Sequence, residues 1–298
     1  MRRQAPPRLP RTLIPVTRRI SGLLHGDYSG LLHRSGSELG DTRRYVEGDD
    51  VRRIDWPATA RTNETQVHDT IADHELDVWL VVDTSPSMAF GTARSTKFRV
   101  AADAAGAIGH LVVQSGNRVG CALSGADLVV PPRAGLDQLS AVLAAIERAA
   151  ANEAVATARN DRPDDMLAVP MSSRTRRGLV VVVSDFFGAG WDAALGRLSR
   201  RHDVIALVVT DPREFELPDV GVVDFEDAET GAVVGVDTSR PDVRERFAEE
   251  TRRRFEGRVA GLRSARADVV ELRTDADWVS VLAGFLRSRR GRLAAGSR

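Results

Sequence analysis

Two rhythms of apolar residues organise the chain. Val78–Val82, Gly178–Val183 and Val204–Val209 are short, nearly unbroken apolar runs, and Val269–Leu272 marks a last strand. Runs of this length read as strands buried on both faces, as in a parallel sheet covered by helices. Between them the apolar positions recur at helical spacing. Phe98, Ala101, Ala102, Ala105, Ile108, Gly109 and Val112 mark one helix, which Ser95 or Thr96 can cap and Gly116 can end. Leu136, Leu139, Leu143 and Ile146 mark a second, and Trp191, Leu195 and Leu198 a short third. Val243, Phe247, Phe255, Val259 and Leu262 line a long fourth; Trp278, Val281, Leu282, Phe285 and Leu286 line the closing one. Arg118–Ser124 and Asp127–Val130 read as strands joined by a hairpin at 124–126. Strands alternating with helices predict a doubly wound α/β domain with a mostly parallel sheet over residues 76–288.

The flanks lack this rhythm. Residues 1–20 are rich in Arg and Pro and predict a flexible arm. Residues 21–75 predict an irregular or β extension, with a strand near Thr65–Ile71 and a dense charged motif from Gly48 to Trp56. That motif has too few apolar residues for a core of its own, so Trp56 is expected to be buried as its anchor. Residues 151–177 predict a partly helical insertion, and 289–298 a basic tail.

Composition narrows the classes. The 298 residues are 42% hydrophobic and 28% charged, an ordinary globular balance. Lys+Arg and Asp+Glu are both 42, which makes a dedicated nucleic-acid binder an unfavoured reading. Lys97 is the one lysine among the basic residues, and Cys121 the one cysteine, so a Cys-rich metal site is excluded. The basic start leads into no secretory-type apolar core, and no apolar run is long enough to span a bilayer. The expected location is the cytoplasm.

Chemistry concentrates where the first buried run ends, in Asp83-Thr84-Ser85-Pro86-Ser87-Met88. A loop past the carboxyl end of a strand is where open α/β sheets bind ligands. Hard divalent cations take carboxylate and hydroxyl oxygens, so Asp83, Ser85 and Ser87 are candidate metal ligands. The competing reading is that they only cap the next helix. Enzyme signatures are missing: Ser85 stands where a haloacid dehalogenase-type phosphatase needs its second acid, and neither G-x-S-x-G nor H-E-x-x-H occurs. A non-enzymatic binding module is expected, with a metal-dependent phosphatase-type hydrolase as the alternative.

The D-x-S-x-S loop resembles the start of a von Willebrand factor A (vWA) domain and its metal-ion-dependent adhesion site (MIDAS). Gly36-Ser37-Glu38-Leu39, Arg44-Tyr45, Glu47-Gly48-Asp49-Asp50-Val51-Arg52-Arg53-Ile54-Asp55-Trp56 and Ala60-Arg61 resemble a bacterial vWA-like family, the domain of unknown function numbered fifty-eight. The resemblance implies strand order 3-2-1-4-5-6, which sets the ends of Val78–Val82 and Leu179–Val183 side by side. It also implies Asp185 as the second acid of the site and Mg²⁺ or Mn²⁺ as a weakly held ion. An open metal position would take a carboxylate from a protein client. The implied partner is a MoxR-type AAA+ ATPase, in chaperone-like assembly or maturation of other proteins. The vWA pattern adds a threonine ligand before the helix at Leu136. The loop Val130–Gly135 has none, so water fills the gap or Arg133 does, the latter giving a metal-free pocket for an acidic peptide. Asp49, Asp50, Arg52, Lys97 and Arg133 are further candidate partner contacts. Lys97 is expected near a helix N-terminus, either solvated or beside an acid, with the Asp49–Asp55 segment the nearest source of one.

Overall fold

The computed structural model describes residues 13–24, 42–46, 51, 54–62, 64–68, 75–123, 128–150, 162–172, 175–226 and 231–296. The chain forms two compact units, residues 32–75 and residues 1–31 together with 76–298.

In the larger unit the sequence alternation becomes a layered α/β structure. Its first element is α1 (Leu13–Leu24), where an arm was expected up to residue 20. Leu13, Thr17, Ile20 and Leu24 fall three or four apart and are buried, so α1 is an amphipathic helix docked on the body.

The smaller unit holds β1 (Thr42–Arg44), α2 (Trp56–Thr62) and β2 (Gln66–His68). β1 and β2 pair antiparallel, and Ile54 bridges to Val67. Asp55 caps α2, its Oδ1 accepting from Ala58 N–H at 2.9 Å. Trp56 is 67% exposed, so the expected burial of its ring does not occur. Asp49, Asp50 and Arg52 lie outside the described residues.

The sheet strands of the larger unit are β3 (Asp77–Val82), β4 (Arg118–Leu123), β5 (Leu128–Arg133), β6 (Gly178–Ser184), β7 (Asp203–Thr210) and, later in the chain, β10 (Asp268–Arg273). Their order across the sheet is β10-β7-β6-β3-β4-β5, with β5 alone antiparallel. This is the strand order the resemblance implied. The helices are α3 (Lys97–Gln114), α4 (Leu136–Ala150), the single turns α5 (Pro163–Met166) and α6 (Ala168–Met171), α7 (Trp191–Leu198), α8 (Pro241–Ser264) and α9 (Trp278–Gly296).

Alternate residues of the central strands feed opposite layers. Trp79, Val81, Val180, Val182, Ala206 and Val208 meet Trp191, Leu195, Leu198 and Leu262 on one face. Leu80 points the other way, to α3 at Gly109. Gly106 and Gly109 keep that helix thin: a Cβ at either would stand 2.8 Å from Leu13 or Leu139, so α1 and α4 approach closely. Every residue of β3 is buried, as the unbroken apolar run predicts.

Three details depart from the sequence pattern. A hairpin of β8 (Val222–Glu226) and β9 (Val233–Asp237) precedes α8; its valines are mostly exposed, so no core alternation announced it. Val281 is 44% exposed, and the inner face of α9 runs through Val279, Leu282, Ala283 and Leu286. The expected basic tail from 289 is instead the last part of α9, and Arg289 is buried between Asp203 and Asp268.

Candidate functional site

β3 and β6 end side by side, and Asp83 extends their ladder by one bond, its N–H donating to Val183 O at 2.9 Å. The sheet order reverses here, the position at which a doubly wound fold opens a crevice. The strands therefore deliver Asp83 and Asp185 to one place, 4% and 2% exposed.

The loop after Asp83 is held by the acid itself. Asp83 Oδ1 accepts from Ser85 N–H at 2.8 Å, and Oδ2 from the Ser184 hydroxyl at 2.6 Å. Ser85 precedes a turn of 3₁₀ helix, Pro86–Ala89, but its side chain makes no capping bond. Thr96 caps α3 instead, accepting from Arg99 N–H at 3.2 Å. The Ser85 and Ser87 hydroxyls lie 3.1 Å apart, and that of Ser87 reaches Asp185. The serines are thus not consumed by helix capping.

The two acids have opposite surroundings. Burial, and then the neighbouring Asp185 charge, push Asp83 above the ordinary carboxylate range despite its hydrogen bonds to Ser184 and Ser85. Burial pushes Asp185 up most strongly of any single influence, but the Lys97 ammonium beside it, with the hydrogen bonds from Lys97, Phe187 N–H and Ser87, together hold it below that range. Lys97 Nζ donates to Asp185 Oδ2 at 2.7 Å and also to Glu214. Burial works against the Lys97 charge, yet the two carboxylates raise its pKa and keep it protonated. Asp185 Oδ1 accepts from Phe187 N–H at 2.9 Å.

Lys97 is the first residue of α3, as expected, and its acidic neighbours are Asp185 and Glu214; Asp49 and Asp50 of the segment expected to supply one lie outside the described residues. Arg133 is not at the site. It pairs with Val119, which pairs with Val78, five residues before Asp83. At the rise of a strand this is about 16 Å along the sheet, at its opposite end. The loop before α4 shares that end, so neither its missing threonine nor Arg133 bears on the Asp83 site, and the metal-free pocket built on Arg133 falls.

Several contributors were missed from sequence. Glu214 follows β7, its other oxygen accepting from Asp211 N–H at 3.0 Å in a capping box, a D-x-x-E spacing visible in the sequence. Asp211 is fully buried and also accepts from the Thr92 and Thr274 hydroxyls, both at 2.6 Å. Arg258 of α8 donates to Asp185 O at 2.6 Å and stacks over Phe187 and Phe255, 5.2 and 5.8 Å from their ring centroids. Phe186 holds a left-handed backbone, φ 53°, while its ring packs edge-on against Trp191 at 4.8 Å. The next ring, Phe187, is 66% exposed, and Phe90, whose carbonyl accepts from Lys97 N–H at 2.8 Å, is 43% exposed.

Among the described residues no three His, Cys, Asp or Glu side chains are grouped to hold a metal. What the ends of β3 and β6 offer is two carboxylates with two hydroxyls, hard oxygen donors suited to Mg²⁺ or Mn²⁺. The raised pKa of Asp83 marks a carboxylate that a cation would relieve. The donor set therefore fits a hard divalent ion. No helix among the described residues is long and apolar enough to cross a membrane.

The family model described as "Protein of unknown function DUF58" matches residues 41–256. "Uncharacterized protein Rv1480" of Mycobacterium tuberculosis (strain ATCC 25618 / H37Rv) is 42% identical over 290 residues, covering 96% of this chain and 90% of that protein. "Uncharacterized protein MAV169" of Mycobacterium avium is 41% identical over 122 residues, 41% of this chain and 72% of that protein. Among solved structures, the conserved hypothetical protein BatB from Bacteroides thetaiotaomicron superposes with a TM-score of 0.44 at 13% identity, covering 72% of this chain and 99% of that one.

Proposed function

The chain belongs to the DUF58 family, a protein family of unknown function, and from that premise we propose that it is a non-enzymatic protein-binding module with a vWA-like, MIDAS-type cation site. The observation that carries this reading is the convergence of Asp83, Ser85, Ser87 and Asp185 where β3 and β6 end. Asp83 and the two serines would hold Mg²⁺ or Mn²⁺, with Asp185 as the second acid. The ion would supply an electrophilic position for a carboxylate of a partner protein. Phe187 and Phe90 suit such docking, because exposed aromatic rings beside a polar centre make strong interface anchors. Phe187 is held in place on the Arg258 guanidinium, which lowers the entropy lost on binding.

The partner we propose is a MoxR-type AAA+ ATPase or a protein client offering a carboxylate, in chaperone-like assembly or maturation. This part rests on the resemblance of the Gly48–Trp56 stretch. A thermal melt in EDTA, then with Mg²⁺ or Mn²⁺, tests the cation site. Ligand at one hundred times its dissociation constant stabilises by about 2.7 kcal/mol, a rise of several degrees that Asp83→Ala should abolish. No shift in the unmodified protein at millimolar ion refutes the site. Co-purification with the host's MoxR-type ATPase, with and without EDTA, tests the partner; association indifferent to EDTA and to Asp83→Ala would separate it from this site.

A further inference from the structure

Of 42 basic residues in the chain, 41 are arginine, and the one lysine is buried at the candidate site. Lys97 is 2% exposed. It opens α3, where the helix dipole disfavours a cation, so the helix does not explain its placement. The two acids it bridges do. A guanidinium presents a rigid planar fork, whereas an ammonium is a compact charge on a flexible stem, able to sit between two carboxylates and lean towards either.

We infer that Lys97 is the built-in counter-cation of this site, competing with a divalent ion for Asp185 and so setting how tightly the site holds one. The inference rests on the reading of Asp83 and Asp185 as a cation site, and it adds what regulates that site. Asp185 and Glu214 share one ammonium, and Asp83 stands beside Asp185. An ion bound at Asp83 and the serines meets that ammonium as a like charge across Asp185, which weakens it.

Glu214 supplies the ammonium with a second seat. Its side chain is 26% exposed, so its charge is better solvated than that of Asp185. It is also fixed, because its other oxygen holds the Asp211 N–H and Asp211 is anchored to Thr92 and Thr274. Lys97 can therefore yield Asp185 to an incoming ion without losing its own partner. Ion and ammonium then divide the two acids, and the bound ion keeps more of its charge for an incoming carboxylate.

The test is calorimetric titration of the full chain with Mn²⁺ and Mg²⁺. Unmodified protein is compared with Lys97→Met, Glu214→Gln and Asp83→Asn. Removing the ammonium should tighten the ion roughly tenfold or more, as expected for a unit charge a few ångströms away. Glu214→Gln keeps the bond to Asp211 N–H but removes the charge of the second seat. The ammonium then stays on Asp185, and the ion should bind several-fold more weakly. Asp83→Asn should bind none. Changes of opposite sign in Lys97→Met and Glu214→Gln are not what loss of packing produces.

A dissociation constant in Lys97→Met equal to or weaker than that of unmodified protein overturns the inference. If only Lys97→Met binds an ion, the inference stands and the metal-dependent function falls. If neither binds, both fall. Should Lys97→Met fail to fold even with Mn²⁺ present, Glu214→Gln decides: unchanged affinity there overturns the inference.

Discussion

The two acids at the end of the β3–β6 pair should respond to the same substitution with opposite signs. Asp185→Asn removes the charge that faces the buried Lys97 ammonium. The amide can still accept from Phe187 N–H through its oxygen, but its NH₂ group then meets Nζ, donor against donor. Breaking one side of a buried pair costs about 3–5 kcal/mol. Glu214 remains to hold the ammonium and repulsion with Asp83 is relieved, so the lower end, about 3 kcal/mol, applies. In a unit of this size that lowers the melting temperature by roughly 6–12 °C. Asp83→Asn removes a charge that burial and Asp185 disfavour. Its oxygen keeps the Ser85 N–H, and the Ser184 hydroxyl can turn to accept from the new NH₂ group. A gain of about 1 kcal/mol, a few degrees, is expected. Circular-dichroism melts in EDTA at neutral pH read both. If both variants melt lower, or Asp185→Asn melts unchanged, the asymmetry assigned to Lys97 is wrong.

Further outcomes follow from which side chains are buried and which are exposed. Phe186→Ala should cost about 3–5 kcal/mol in urea unfolding because its fully buried ring packs on Trp191. Phe187→Ala should cost no more than about 1 kcal/mol, the worth of its exposed stacking on Arg258, since that ring is mostly exposed; equal costs would refute the split. Burial pushes the Cys121 thiol up to about 12, so a disulfide reagent at pH 8 should leave it unmodified until the protein unfolds, and rapid native labelling would contradict its placement in β4. Trp56→Ala should shift the melt by no more than about 0.5 kcal/mol, reversing what its place in the motif suggests; a large loss would show that the exposed ring is a stabilising anchor.

The sheet was legible because β3, β6 and β7 are unbroken apolar runs, and a strand buried on both faces has no other sequence pattern. The pair of acids was legible once the strand order was implied, since adjacent strands must end together. Lys97 could be placed on its helix but not given its partners, because those lie 88 and 117 residues away. Arg133 was misplaced for a register reason: β5 runs antiparallel, so its last residue lies at the foot of the sheet, and local sequence does not show direction. Trp56 misled because an aromatic among charges suggests an anchor, while its exposure is decided by tertiary packing. The β8–β9 hairpin escaped because its apolar residues face solvent and give no alternation.

Three of the bonds that build the site join distant parts of the chain. Asp83 meets Ser184 across 101 residues, Lys97 meets Asp185 across 88, and Lys97 meets Glu214 across 117. Closing such loops costs entropy before any contact rewards it, and a mostly parallel sheet of this kind forms slowly. During synthesis β3 and α3 must wait for β6, and Lys97 lacks its second carboxylate until residue 214 has been added. The arrangement of Asp83, Lys97, Asp185 and Glu214 therefore cannot exist before residue 214 has been made, so it is a late product of folding rather than a local feature of any one segment.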